Sequence, residues 1–155
     1  MYWTSLAGRI MKADIDGLNS VQVVGGQLDP KGIAVDHDVS RLFWAVNSLH
    51  RIQSSNLAGG DVRTIVQLPG KSWPWGVAIH GNKLYWGNFG PESLQSSTIT
   101  GENVRTIYTG KSGPMHLTLT TTSLNRTRVN HCDEDSCSSL CVLTSTASRC
   151  LPWTT

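Results

Sequence analysis

Charged side chains and long apolar runs are both scarce in this sequence. Asp, Glu, Lys and Arg make up 15% of the 155 residues, and the formal net charge is only +2. The thirteen Lys and Arg residues are scattered along the chain, whereas nucleic-acid binding requires a clustered basic face. No apolar run reaches the length of a membrane-spanning helix, and the chain opens on a strand pattern without a signal peptide. We therefore expect neither a nucleic-acid partner nor membrane insertion.

Helical periodicity and catalytic motifs are also missing. No ten-residue window holds a 3.6-residue apolar period free of Gly and Pro, so no long helix is predicted. There is no nucleophile elbow, HExxH, CxxC or phosphate-binding glycine loop. Asp36, His37 and Asp38 are adjacent, but they follow a strand pattern, and we interpret them as a solvated turn because Asp favours turns. The prediction is a protein without catalytic residues, cofactor or metal.

The sequence does contain an internal repeat with a period of about 40 residues. Tyr2-Trp3-Thr4 returns as Leu42-Phe43-Trp44-Ala45 and Leu84-Tyr85-Trp86-Gly87, with the tryptophans 41 and 42 residues apart. Further matches join Gln53-Ser54-Ser55 to Gln95-Ser96-Ser97 and Val62-Arg63-Thr64-Ile65 to Val104-Arg105-Thr106-Ile107. One unit has been copied three times.

Each repeat contains short runs of β-branched and aromatic residues bounded by Gly, Pro, Asn or Asp, which is the pattern of β-strands. Examples are Gly32-Ile33-Ala34-Val35, Leu42-Phe43-Trp44-Ala45-Val46 and Gly76-Val77-Ala78-Ile79. Four strands in about 40 residues correspond to one blade of a β-propeller. Trp3, Trp44 and Trp86 recur with the strand and are predicted to be core residues.

These repeats resemble the YWTD repeats of the low-density lipoprotein receptor family. The resemblance rests on the tyrosine-tryptophan strand, the turn ending in Asp16-Gly17 and the segment from Leu28 to Asp36, and it covers residues 1 to about 122. It implies a six-bladed ring in which the tryptophan lies on the second strand of each blade. The aspartate that ends the family motif is replaced by Ser5, Val46 and Asn88, so blade packing is expected to differ in detail.

A count of strands predicts an incomplete ring. The chain begins on a second strand, which gives eleven strands in three blades, and residues 115–120 match the first strand of a blade that is not continued. Three blades cannot close, because propellers have four to eight. The predicted fold is therefore all-β, with three four-stranded YWTD blades in residues 1–124 and two chains closing a six-bladed homodimer. Residues 115–120 of each chain would complete the N-terminal blade of the partner.

Cysteine is absent from the first 131 residues and then occurs at Cys132, Cys137, Cys141 and Cys150. An even number in a Ser- and Thr-rich tail predicts disulfides and a secreted protein. A zinc site using His131 is disfavoured because C-x2-C pairs are missing. Asn125-Arg126-Thr127 is a glycosylation acceptor, which agrees with secretion.

The tail, residues 125–155, resembles an EGF-like module truncated to four of the usual six cysteines. The resemblance implies pairing of Cys132 with Cys141 and of Cys137 with Cys150, although spacing alone leaves three connectivities open. Calcium-binding modules of this kind have an acidic motif before their first cysteine. Residues 128–131 are Arg-Val-Asn-His instead, so calcium is not expected.

Two tryptophans flank a proline in Lys71-Ser72-Trp73-Pro74-Trp75-Gly76, between the last strand of one blade and the first strand of the next. The resemblance places this connection on the same face as the loops between second and third strands, and such loops concentrate binding residues. Trp75 has an alternative role as a cap on the channel, where Lys31 and Met115 occupy the equivalent positions. The candidate ligand-binding residues are Trp73, Trp75, Lys71, Asn47, His50, Asn88 and Glu92.

The predicted function is that of a soluble, non-catalytic extracellular recognition protein with a lectin-like role in binding glycans. The flat ring of Trp73 suits the apolar face of a sugar, and repetition of a weak site in a ring raises avidity. We also expect neither a membrane anchor nor cysteine-rich ligand modules. The main alternative is a module that binds an extracellular protein, as family propellers do. The third hypothesis is a calcium-dependent hydrolase or lactonase, which would require acidic residues lining the channel.

Overall fold

The regular structure of this protein is almost entirely β. The computed structural model describes residues 1–110, Leu117 and the backbone of two strands in the tail. Within these residues the only helical element is a single 3-10 turn, Asn47–Leu49, and no helix is long and apolar enough to cross a membrane. The chain divides into two compact units, Met1–Leu119 and Thr120–Thr155.

The first unit consists of three antiparallel sheets whose strands follow one another in chain order. Blade 1 contains β1 (Tyr2–Ser5), β2 (Arg9–Lys12) and β3 (Val21–Val24). Blade 2 contains β4 (Pro30–Asp36), β5 (Arg41–Val46), β6 (Arg51–Asn56) and β7 (Arg63–Gln67). Blade 3 contains β8 (Pro74–His80), β9 (Lys83–Asn88), β10 (Ser93–Thr98) and β11 (Arg105–Thr109). The predictions of an all-β fold and of eleven strands before residue 111 are confirmed.

The repeat extends to the irregularities of the sheets. The pairing of the last two strands shifts between Ile10 and Met11 in blade 1, between Ile52 and Gln53 in blade 2, and between Leu94 and Gln95 in blade 3. A bulge of this kind bends a strand and increases its twist. Its recurrence at one position gives the outer strands of all three blades the same bend.

The hydrophobic core lies between the blades. Trp44 and Trp86 are fully buried, and each packs against the blade that precedes its own. Trp44 belongs to a cluster with Ile10 and Val24 of blade 1, whereas Trp86 belongs to one with Phe43 and other residues of blade 2. Burial of such large aromatic side chains dominates the stability of a core. The predicted core role of these two tryptophans is confirmed.

Trp3 differs from its two counterparts because it is only half-buried. No blade precedes blade 1 within the described residues, so the ring of Trp3 lacks the cover that Trp44 and Trp86 receive. β1 is also an edge strand, since its one partner in the sheet is β2. The prediction that Trp3 is a core residue therefore does not hold for the single chain.

The described part of the second unit is a β-hairpin. Strands β12 (Leu140–Leu143) and β13 (Ser148–Leu151) pair antiparallel in a register that places Cys141 opposite Cys150. Cys132, Cys137, the glycosylation acceptor Asn125 and the boundary between residues 124 and 125 lie outside the described residues. So does the proposed strand at 115–120, apart from Leu117. The EGF-like character of the tail and its disulfides stay predictions.

Candidate functional site

The connection between β7 and β8 lies on the same face of the unit as the turns that follow β5 and β9. The amide of Asn47 donates to the carbonyl of Pro74 (3.3 Å). The backbone N–H of Phe89 donates to the carbonyl of Trp73 (3.0 Å). These hydrogen bonds tie the connection to a turn of blade 2 on one side and to a turn of blade 3 on the other.

Trp73 is exposed at the junction of these three segments, with 41% of its surface accessible. Its ring lies against the backbone of Gly90, where a Cβ atom would come within 2.9 Å of the ring and would also collide with the carbonyl oxygen of Lys71. Glycine at position 90 therefore allows the two loops to approach. One edge of the Trp73 ring packs on the protein while the rest faces solvent.

The ring of His50 and the backbone of Phe89 lie near Trp73. The centroid of the His50 ring is 6.4 Å from that of Trp73, with the planes inclined by 50°. Phe89 is 53% exposed and is joined to Trp73 through the backbone hydrogen bond described above. We call Trp73, Phe89 and His50 the aromatic patch. Sequence analysis missed Phe89, although an aromatic residue beside a glycine in a loop was a usable signal.

His50 is held in place from two directions. Its backbone has φ 52° and ψ 47°, a left-handed conformation that closes the turn after the 3-10 segment and that few non-glycine residues adopt. Its Nδ1 lies 2.7 Å from the carbonyl oxygen of Ser72. Since a carbonyl only accepts, Nδ1 carries the proton and donates, which leaves Nε2 of the neutral ring free to accept a hydrogen bond from a ligand.

Trp75 lies in a different environment from Trp73. It is half-buried and lines a cavity of about 490 Å³ that is bordered by β1 and by the first residues of β4 and β8. The ammonium group of Lys31 lies 4.5 Å from the centroid of the Trp75 ring, a cation–π arrangement. Lys31 also forms an ion pair with Asp29 at 2.6 Å. Leu117 lines the same cavity.

The remaining predicted residues are placed as follows. Asn47 and Glu92 are half-buried at the rim of the patch, and Lys71 is exposed beside it. Asn88 is fully buried, where its amide donates to Gln95 Oε1 at 2.6 Å. A buried side chain cannot contact a ligand on this face, so the structure separates Asn88 and Trp75 from the group formed by Trp73, His50, Asn47 and Lys71.

The acidic cluster at the end of β4 has a structural explanation. One oxygen of Asp36 accepts hydrogen bonds from the backbone N–H groups of Asp38 (2.9 Å) and Val39 (3.2 Å). This is the local capping that makes Asp common in turns, and it confirms the interpretation of this segment. Among the residues described, no three His, Cys, Asp or Glu side chains are grouped around a possible metal position.

No protein-family model matches the chain, but curated relatives do. The vitellogenin receptor of Solenopsis invicta is 28% identical over 147 residues, which is 92% of this chain and 8% of the receptor. Low-density lipoprotein receptor-related protein 5 of Mus musculus is 32% identical over 90 residues, 56% of this chain and 6% of that protein. The chain thus spans less than a tenth of the length of these relatives.

Solved structures with the same arrangement of strands include a chain in the crystal structure of the nidogen/laminin complex. That match has a TM-score of 0.68 at 25% identity and covers 74% of this chain and 46% of the other. The computationally designed Ika4 protein matches with a TM-score of 0.58 at 15% identity, over 77% of this chain and 73% of the designed one. The second likeness bears on the fold alone.

Proposed function

Because this chain belongs to the YWTD-repeat propellers of the low-density lipoprotein receptor family, we propose that it is a non-catalytic ligand-binding module of an extracellular protein. The relatives are receptors, and the nidogen/laminin structure is a complex between proteins. A protein ligand is accordingly favoured over a glycan. The chain's own ligand would bind at the aromatic patch.

The observation that carries this proposal is the exposure of Trp73 and Phe89 on two loops that are joined by a backbone hydrogen bond. Single exposed apolar residues are common on protein surfaces. Two exposed aromatic residues on hydrogen-bonded loops are an arrangement expected of a binding hot spot, where tryptophan is enriched. Nε2 of His50 would supply a hydrogen-bond acceptor at the edge of the same patch.

A lectin-like role is the second candidate, and the packing of Trp73 favours it. With one edge of its ring against Gly90, the indole offers a fixed, flat apolar surface, which suits the C–H face of a sugar. A glycan array and a pull-down from an extracellular extract separate the two ligand classes. Recovery of a protein with no signal from any glycan would remove the lectin alternative.

Substitution of Trp73 tests the site itself. Trp73→Ala is expected to weaken binding of the recovered ligand by about 1–3 kcal/mol with little change in the melting temperature, because the side chain lies at the surface and is 41% exposed. Trp75→Ala is the matched control, since it removes the neighbouring tryptophan from the cavity rather than from the patch. Equal losses for the two variants, or unchanged binding by Trp73→Ala, would contradict the assignment.

We further propose that a second copy of the chain completes the ring. Blade 1 and blade 3 each have one face that the described residues leave uncovered. On blade 1, Ile15 is 56% exposed, whereas its counterparts Leu57 and Ile99 are partly buried against the preceding blade. On blade 3, Ile107 is 48% exposed, whereas its counterpart Ile65 is partly buried by the following blade.

The two uncovered faces carry the two halves of a contact that recurs between neighbouring blades. Gly59 and Gly101 have φ values of 86° and 90° and lie so close to the carbonyls of Val23 and Ile65 that a Cβ atom would collide. Gly17 has the same φ of 86° but no neighbour within 4 Å. In a head-to-tail dimer, Gly17 of one copy would meet Ile107 of the other, which repeats the existing contact. Two such junctions close a six-bladed ring with two-fold symmetry.

The open edge of β1 has a candidate partner in the segment around Leu117. Leu117 lines a cavity that β1 also borders, and residues 115–120 would fill the strand position beside β1 of a second copy. Domain swapping, in which two copies exchange the same structural element, is a low-cost route to dimers. Pairing would also remove an unpaired edge, which soluble proteins avoid.

Light scattering tests this assembly. The expected mass at micromolar concentration is twice the 16.9 kDa of one chain. Ile107→Asp should abolish the dimer because it places a charge in the proposed junction, whereas Val39→Asp, at a similarly exposed position in the β4–β5 turn, should not. A well-folded monomer, or a dimer that survives Ile107→Asp, would rule out this junction.

We propose in addition that the tail is a secreted, EGF-like element with two disulfides. The support is the even set of four cysteines confined to the tail and the extracellular character of the family. Mass spectrometry with and without reduction checks it. Four alkylatable thiols in the unreduced protein would overturn both the bridges and the secreted assignment.

A further inference from the structure

A second concave surface lies at the end of blade 3 opposite the aromatic patch. β9 ends at Asn88, just before Phe89 of the patch, and begins at the other end with Lys83. There Lys83 lines a cavity of about 600 Å³ together with Ser96, Arg105 and their neighbours. The proposed function does not use this cavity.

In blade 2, the position that corresponds to this cavity is occupied by an acidic side chain of the chain itself. Asp61 accepts a hydrogen bond from Arg41 at 2.9 Å and another from Arg63 at 2.7 Å. Arg41 also donates to the hydroxyl of Ser54, at 2.9 and 3.2 Å. One carboxylate thus accepts from two guanidinium groups, one of which also donates to a buried serine.

Blade 3 keeps the cations and the serine but loses the carboxylate. Lys83 replaces Arg41, Arg105 replaces Arg63 and Ser96 replaces Ser54, in the same sheet register: Ser54 lies opposite Arg63, and Ser96 lies opposite Arg105. Asn103 stands where blade 2 has Asp61. The backbone has the same φ of 55° at both residues.

The consequence is an uncompensated pair of positive charges around the cavity. Among the described residues, neither Lys83 nor Arg105 takes part in an ion pair. Ser96 is 2% exposed and lines the cavity together with both cations. Glu102 lies on the adjacent turn but is not paired with either cation.

From this comparison of two blades of one chain, we infer that the cavity of blade 3 binds an oxyanion of the sulfate or phosphate type. The anion would take the place that the Asp61 carboxylate occupies in blade 2. Arginine and lysine both donate charge-assisted hydrogen bonds to such oxygens, and Ser96 and the Asn103 amide add neutral donors. A tetrahedral anion offers enough oxygens for all four groups.

The test is a titration of the ¹⁵N-labelled full chain with sodium sulfate, against sodium chloride at matched ionic strength. Saturable shifts are expected for the amides of Ser96, Asn103 and Arg105. Asn103→Asp rebuilds the carboxylate of blade 2 inside blade 3 and should weaken sulfate binding about tenfold or more, the loss that corresponds to one hydrogen bond to a charged group.

Asp61→Asn is the reciprocal variant. It frees Arg41 and Arg63 and should create a second site, detected as new sulfate-dependent shifts at Ser54 and Arg63. Both substitutions are at exposed positions where Asp and Asn each already occur with φ 55°, and an otherwise unchanged spectrum verifies folding. Absence of saturable shifts in the wild-type chain, or undiminished binding by Asn103→Asp, would overturn the inference.

The source of the anion is resolved with two further ligands. Tighter binding of a heparin-derived tetrasaccharide than of inorganic sulfate, lost on desulfation, assigns the group to a sulfated glycan. Equal binding of inorganic phosphate and sulfate, without a gain from the saccharide, assigns it to a free ion. Either result supports the site, and each is independent of whether a ligand binds at the aromatic patch.

Discussion

Asp61 is the acceptor that holds Arg63 and Arg41 together at the exposed end of blade 2. Hydrogen bonds from Arg63 and then from Arg41 keep the pKa of its carboxyl below the ordinary value. Because this pKa is lower in the folded than in the unfolded chain, the stabilisation is complete above the unfolded pKa of about 3.9. It is lost as the pH falls through the folded pKa.

This linkage predicts the behaviour of Asp61→Asn. Its melting temperature should fall below that of the wild type near neutral pH, and the difference should shrink as the pH is lowered below about 4. The effect will be modest, because the group is exposed and solvent screens it. Thermal unfolding followed by circular dichroism from pH 6 to pH 2 measures it, and a difference independent of pH would contradict the proposed origin.

The sequence predicted whether a tryptophan is buried or exposed from whether it recurs in each repeat or occurs once in a loop. Trp44 and Trp86 recur with a strand and are buried, whereas Trp73 does not recur and is exposed. Asn88 was misplaced because its burial depends on neighbours in space: it lies between Pro74 and Ser93 in the sheet. The loss of the family aspartate at position 88 was visible in the sequence, but the direction of the new side chain was not.

The strands were predictable as elements because three copies of one pattern support each other. A single short apolar run is ambiguous between a strand and part of a helix, but a run that returns at a fixed period with the same turn residues is not. The recurrent bulges left no such signal, since they arise from how the last two strands twist against each other. The tail strands lie outside the three repeats. Their pairing therefore could not be predicted by comparing one repeat with another.

The turns between third and fourth strands give a prediction at the scale of elements. Gly101→Ala would place a Cβ atom against the carbonyl of Ile65 and would also force alanine into φ 90°. Gly17→Ala carries the same backbone strain, of about 1–3 kcal/mol, but has no neighbour within 4 Å in the single chain. Gly101→Ala should therefore be the more destabilising in any comparison at low protein concentration.

At higher protein concentration, Gly17→Ala and Gly101→Ala also test the proposed junction between two copies. If blade 1 docks on blade 3 of a second copy, Gly17→Ala also introduces a collision and should raise the concentration needed for dimers. Sedimentation velocity of both variants measures this. Unimpaired dimerisation by Gly17→Ala would show that the face carrying Gly17 is not part of the interface.

In the proposed ring, each chain would obtain the cover of two blade faces from its partner. We expect the unfolding midpoint in urea to rise with protein concentration, because a protein whose folded form is a dimer is stabilised by mass action. The measurement is an unfolding series over a hundredfold range of concentration, with far-ultraviolet circular dichroism as the signal. A midpoint that stays constant over that range would mean that the single chain is stable alone.

The packing of each tryptophan against the preceding blade gives the fold a direction. During synthesis, blade 1 leaves the ribosome before Trp44, and blade 2 before Trp86, so each of these rings emerges when the surface that will shield it from water already exists. Chains fold from the N-terminal side as they are made, and this order spares two of the three rings a period of exposure. Among the described residues no surface is made before Trp3, so this order gives its ring no such protection.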